Sequence, residues 1–334
     1  MKNRLSLLFL LLLTGVAGQN FFPILGGQRV GTSVFPFLKI GVSARAAGMS
    51  EAVVALNQDA GSIYYNPGSI AQFEKTEFSA SSIQWPAEIN YDYFSLARHL
   101  FGRHFLGLSG GILHMAPMEE TTEFLPGGTG NYFVFQDRFI GLTYGARMTD
   151  RFSFGVTVKH VQENLAGQKM NAVLIDMGTF YWTGFRTLRF SAALSNFGPQ
   201  AKPGGTFSRQ YLDRSTGEEA VNDSATFSEF SPPTVFRVGT AMNIIDQEFQ
   251  VLTFTMQLNH PVDNSESIVL GAEYSIFSTF FLRGGYKMNR EEEDYSLGVG
   301  LYVPAGPVKL RVDYAYTNFT YLSDPTRLSI GLSF

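Results

Sequence analysis

The sequence predicts an all-β fold, a fourteen-stranded antiparallel transmembrane β-barrel with an N-terminal plug. Three observations predict it. From residue 76 onward apolar residues recur with a period of two; the alternating segments are long and even in number; and the connections between them are short and long in turn.

The first 18 residues read as a signal peptide. Lys2 and Arg4 precede the apolar run from Leu5 to Leu13, and the small residues Val16 and Gly18 suit cleavage before Gln19. Residues 19–75 do not alternate as strands do. Residues 43–57 have helical composition with small side chains (Ala44, Ala46, Ala47, Gly48), and Asn66-Pro67-Gly68 is a turn signal. Such a segment fits either the periplasm or the barrel lumen; its small, mostly uncharged residues favour a plug in the lumen.

Residues 76–334 hold the barrel strands, expected at 76–84, 90–99, 104–115, 132–147, 152–162, 172–182, 188–197, 234–244, 250–260, 267–276, 279–287, 294–303, 308–316 and 326–334. The last is the clearest. Leu328, Ile330, Leu332 and Phe334 fall on one face and Arg327, Ser329, Gly331 and Ser333 on the other. Most of these segments match the roughly 9 to 11 residues a tilted membrane strand needs and exceed the roughly 5 to 6 of a sandwich strand. Connections such as 100–103, 148–151 and 304–307 suit periplasmic turns, whereas 116–131, 198–233 and 317–325 suit extracellular loops. Closing the sheet leaves no unpaired edge in hydrocarbon. Apolar side chains then face outer-membrane lipid, and the aromatics Phe105, Tyr144, Trp182, Tyr286, Tyr302 and Tyr316 are expected near the interfaces.

Composition agrees and narrows the function. Only 16% of residues are charged, against roughly 25% in soluble domains, while 34 glycines and many aromatics take their place. A net charge of −4 argues against nucleic acid as a partner, and the absence of cysteine excludes disulfides and thiolate chemistry.

The plug residues meet a known pattern. Phe37-Leu38-Lys39-Ile40-Gly41-Val42-Ser43-Ala44-Arg45-Ala46-Ala47-Gly48-Met49, then Asp59-Ala60 and Tyr64-Tyr65-Asn66-Pro67-Gly68, resemble the hatch of the PorV/PorQ family, which belongs with FadL-type outer-membrane barrels. Two positions depart from it: Ser50-Glu51 stands where the family usually has glycine, and Gly68 where alanine usually follows Asn-Pro. The resemblance implies a FadL-like barrel in the outer membrane of a Gram-negative bacterium. It also implies a part in type IX secretion, binding exported cargo at the extracellular rim. The alternative is a FadL-like transporter of hydrophobic small molecules, which calls for an apolar pocket beside the plug with a polar end group. An adhesin acting through its loops is a third class.

Candidate site residues follow from facing and spacing. Glu273, Arg283, Arg311, Asp313 and Arg327 fall on the polar face of their strands and are expected to form an ion-pair network in the lumen, which Arg45 and Asp59 of the plug are placed to join. Asn66, Pro67 and Gly68 are expected to fix the plug where it turns toward the wall. In the long loop 198–233, Phe207, Tyr211, Phe227 and Phe230 are candidates for a partner-binding surface. Glycines Gly107, Gly110 and Gly111 are candidates for a kink that opens the wall. No metal site, cofactor or catalytic residue is expected. The five histidines carry no metalloprotease spacing, no Gly-x-Ser-x-Gly is present, and the acidic runs 291–294 and Glu119, Glu120, Glu123 lack the glycine-turned cage of a calcium loop.

Overall fold

A computed structural model describes residues 30–56, 59–165, 167–209, 223–289 and 292–334. The expected signal peptide and Tyr211 therefore lie outside the described residues, as does Glu291.

Fourteen strands form one closed antiparallel barrel. They are β1 (Glu77–Trp85), β2 (Ile89–Phe101), β3 (His104–His114), β4 (Phe135–Arg147), β5 (Phe152–Leu165), β6 (Gln168–Trp182) and β7 (Arg189–Phe197), then β8 (Val235–Gln247), β9 (Gln250–Pro261), β10 (Ser267–Ile276), β11 (Phe280–Met288), β12 (Glu293–Ala305), β13 (Val308–Phe319) and β14 (Thr326–Ser333). Each pairs with the next, and β14 closes on β1 with Glu77 opposite Ser333 and Gln84 opposite Thr326. One mouth carries short turns and the other long loops. The fourth expected strand begins three residues late, because Tyr132–Phe133 pairs with Met118–Glu119 in a ribbon of its own loop. The loop expected at 163–171 shrinks to a hairpin tip, since β5 and β6 pair as far as Leu165 and Gln168.

The alternation has a direct structural outcome. Leu328 and Ile330 of β14 are 46% and 44% exposed on the outer face, while Arg327 and Ser329 between them are 1% and 4% exposed toward the lumen. Exposed Leu, Val, Ile and Phe side chains form a belt around the barrel, as a lipid-wetted surface requires.

Aromatic residues divide differently from expectation. Tyr144 and Tyr286 face outward, but Phe105 is buried among plug residues and Trp182 and Tyr302 turn inward too. The Trp182 indole N–H donates to Gln72 Oε1 at 2.9 Å, and the Tyr302 hydroxyl accepts from Arg311 at 2.7 Å. Their strand facing, not their residue type, sets their side.

The lumen is filled by residues 32–75. This segment enters at the long-loop mouth, where the Val34 N–H bonds the Ser231 carbonyl and Phe35 N–H the Glu163 carboxylate. It ends at the short-turn mouth, where Arg147 holds the Ala71 carbonyl. The helical stretch expected over 43–57 is reduced to one turn, Ala44–Ala47, begun by the Ser43 hydroxyl accepting from Ala46 N–H. Ser50 and Glu51 end it by taking left-handed backbone, with φ of 51° and 68°. Such angles favour glycine and cost of order 1–2 kcal/mol per residue.

Candidate functional site: a plugged lumen with a cavity at each mouth

The plug rests on glycines of the wall. A Cβ on Gly155 would sit 2.2 Å from the Pro67 carbonyl oxygen, and one on Gly178 would sit 2.0 Å from Asn66 Oδ1. Gly68 belongs to the same contact, because a Cβ there would meet the Gly178 carbonyl at 2.7 Å. Its departure from alanine thus fits the closeness of plug and wall. Asn66 fixes the turn in both directions: its Oδ1 accepts from Gly68 N–H, and its Nδ2 donates to the carbonyls of Val54 and Thr179 on plug and wall. Pro67 then opens the 3-10 turn Pro67–Gln72.

The charged residues converge on Arg45. Its guanidinium donates to Glu273 at 2.8 and 2.9 Å and reaches Asp59 at 3.3 Å. Glu273 also receives Arg283 at 2.7 Å, Arg283 bridges to Asp313 at 2.7 Å, and Arg311 meets Asp313 at 3.2 Å. Plug and wall therefore share one chain of buried charges, each with an opposite neighbour. Arg327 works apart from it, donating to the plug carbonyl of Gly41 at 3.0 Å and to Thr317 at 2.9 Å.

Two cavities flank the plug. The one at the long-loop mouth holds about 560 Å³ and is walled by Phe37, Leu38, Ile40, Trp85, Ile89, Leu113, Phe135 and Phe319, with charged residues among them. The other holds about 780 Å³ at the short-turn mouth and reaches up to Glu273, Tyr302 and Arg311. Glu51 lies at the floor of the first cavity. Arg237, Lys287 and Glu293 line the same cavity.

Lys159, like Arg147, Arg237 and Lys287, falls on the polar face of its strand and is expected in the lumen, but its partners and other interior acids carry no such expectation. Lys159 pairs with Asp176 at 2.8 Å, and Asn196, whose φ is 60°, turns inward beside them. Asp137 and Glu163 face inward beside each other at the long-loop mouth. Strand facing was the available signal: Asp137 shares its side of β4 with Gly141 and Thr143.

Other expectations resolve in detail. Phe207 and Phe227 stack with centroids 5.0 Å apart in the long loop, Phe230 pairs with Ala201, and Phe207 and Phe230 remain 41% and 42% exposed. Gly107, Gly110 and Gly111 do not open the wall, since β3 pairs without a break with β2 and β4 across all three. Ile63 and Ile70 of the plug approach Gly107 instead. Glu119 and Glu120 bond groups of their own loop, and among the described residues no cluster of three acids or histidines exists to hold a metal.

No protein-family model matches this sequence, and no curated protein does. Solved structures share its fold. The CymD monoaromatic hydrocarbon channel aligns over 88% of this chain and 96% of its own with a TM-score of 0.56 and 14% identity. The Ralstonia pickettii toluene transporter TbuX aligns over 90% and 99% with 0.54 and 14%, and a Pseudomonas aeruginosa FadL homologue over 88% and 98% with 0.55 and 10%. The chain is a closed, plugged, FadL-like fourteen-strand barrel.

Proposed function

We propose that this protein is a non-enzymatic channel of a Gram-negative outer membrane that admits hydrophobic small molecules. The observation that carries it is the cavity of about 560 Å³ at the long-loop mouth, directly above the plug and walled by aromatic and aliphatic side chains. Its size suits a small ligand, and its apolar side chains, which share the lining with charged groups such as Lys39, Glu51, Asp137, Arg237 and Lys287 and with several amides, suit a molecule with an apolar body. The long loops then face the exterior, and a ligand reaches the cavity from outside. Below it the plug blocks a direct path, so passage requires the plug to shift. The neighbouring folds that carry toluene or monoaromatic hydrocarbons support this reading. The test is uptake of labelled toluene by Gram-negative cells expressing the protein, compared with the Leu113→Trp variant, whose added ring fills the cavity. Faster uptake with the native chain and loss in the variant is expected; uptake equal to that of cells lacking the protein would reject the reading.

The hatch residues Phe37 to Met49 and Tyr64 to Pro67 favour a second reading, a PorV/PorQ-type role in type IX secretion. There the exposed Phe207 and Phe230 would meet exported cargo. Copurification of cargo or translocon proteins in mild detergent supports it, and a preparation free of both counts against it.

A further inference from the structure

We propose that the cavity at the long-loop mouth selects an apolar molecule carrying an ammonium group, received by Asp137; this deepens the channel reading and rests on it. The β4–β5 register sets Asp137 directly opposite Glu163, and both point inward. Asp137 forms part of the cavity wall with none of its surface open to water. Glu163 accepts the Phe35 N–H at 3.1 Å, whereas neither oxygen of Asp137 has a hydrogen bond of ordinary geometry, the backbone N–H of Asn164 being the donor that bears on it. Among the described residues neither carboxylate has an ion-pair partner. A buried carboxylate without a donor is costly, and two side by side more so, unless a proton or a cation arriving from outside compensates them.

The cationic groups of the same cavity are already engaged. Lys39 pairs with Asp263, Lys287 pairs with Glu293, and Arg237 donates to Ser195 at 3.0 Å. Among the described residues Arg237 has no carboxylate partner, and Glu51 of the same wall has no ion pair either. An incoming cation is drawn to the acidic side of the cavity, where Asp137 is the carboxylate whose oxygens lack a bonded partner. An ammonium supplies both the charge and three N–H donors, while the apolar wall covers its carbon skeleton. Phe37 and Phe135 of the same wall supply aromatic surface that favours a cation. A divalent metal fits less well: hard cations take six or more oxygens, and among the described residues the carboxylates of this wall do not gather three together.

Three probes of one skeleton test this by calorimetry on the full chain in detergent: phenethylammonium, phenethyl alcohol and ethylbenzene. The native chain is expected to bind the ammonium tightest, and Asp137→Asn to reduce its preference over ethylbenzene by about ten-fold or more, the loss of one charge-assisted contact. If Asp137→Asn does not assemble, Glu163→Gln is read the same way. An ammonium preference that is absent from the native chain, or unchanged in the variant, overturns the proposal while ethylbenzene binding leaves the channel standing. Binding of none of the three overturns both.

Discussion

Arg45 is the residue on which the closed state turns, because it is the plug's contribution to a charge chain that otherwise belongs to the wall. Arg45→Gln leaves Glu273 with Arg283 alone and is expected to weaken plug seating by about 3 kcal/mol, the low end for breaking a buried pair. In planar bilayers the variant should show brief, frequent openings that the native chain lacks; a native-like current trace would mean that the plug is held by its packing instead. Arg327→Gln should have a smaller effect, since it removes a hydrogen bond to the Gly41 carbonyl and no ion pair.

At the scale of elements, the wall glycines govern how closely the plug lies. Gly155→Ala puts a methyl group into the Pro67–Gly68 backbone, which cannot rotate away, and should cost about 1–3 kcal/mol. Gly127→Ala in an outer loop meets nothing within 4 Å and serves as the control. Proteolysis of the plug in intact barrels distinguishes them, with faster cleavage expected for Gly155→Ala alone. The strands themselves were legible because a period of two is local and survives reading one residue at a time. Phe105, Trp182 and Tyr302 turn inward because strand facing overrides aromatic type, a facing that Gly107, Asp176 and Gly300 on the same strands carry in the sequence. The short helix was misjudged because composition does not register the left-handed backbone at Ser50 and Glu51.

For the whole molecule, the decisive property is a surface reversed relative to a soluble protein, with apolar side chains outside and charges within. Leu142, 55% exposed near the middle of β4, reports on it directly. Leu142→Arg should destabilise the barrel by about 2–4 kcal/mol in refolding titrations with lipid vesicles, the cost of a cation at mid-bilayer. A native-like midpoint would contradict a lipid-facing wall. The charge chain was legible in part, since strand facing put its members in the lumen, but the cavity was not: its walls come from residues as far apart as Phe37 and Phe319, and only the closed sheet brings them together.

The order of the chain along the lumen has a consequence for truncation. The plug precedes β1 in the chain and runs from one rim to the other, and the seam joins the two ends of the barrel sequence, where Thr76 and Phe334 exchange backbone hydrogen bonds at 3.0 Å. The peg is held by the staves around it, through Glu273, Thr179, Arg147 and Arg327, so a chain that loses its final strand forfeits the hoop and with it Arg327's hold on the peg.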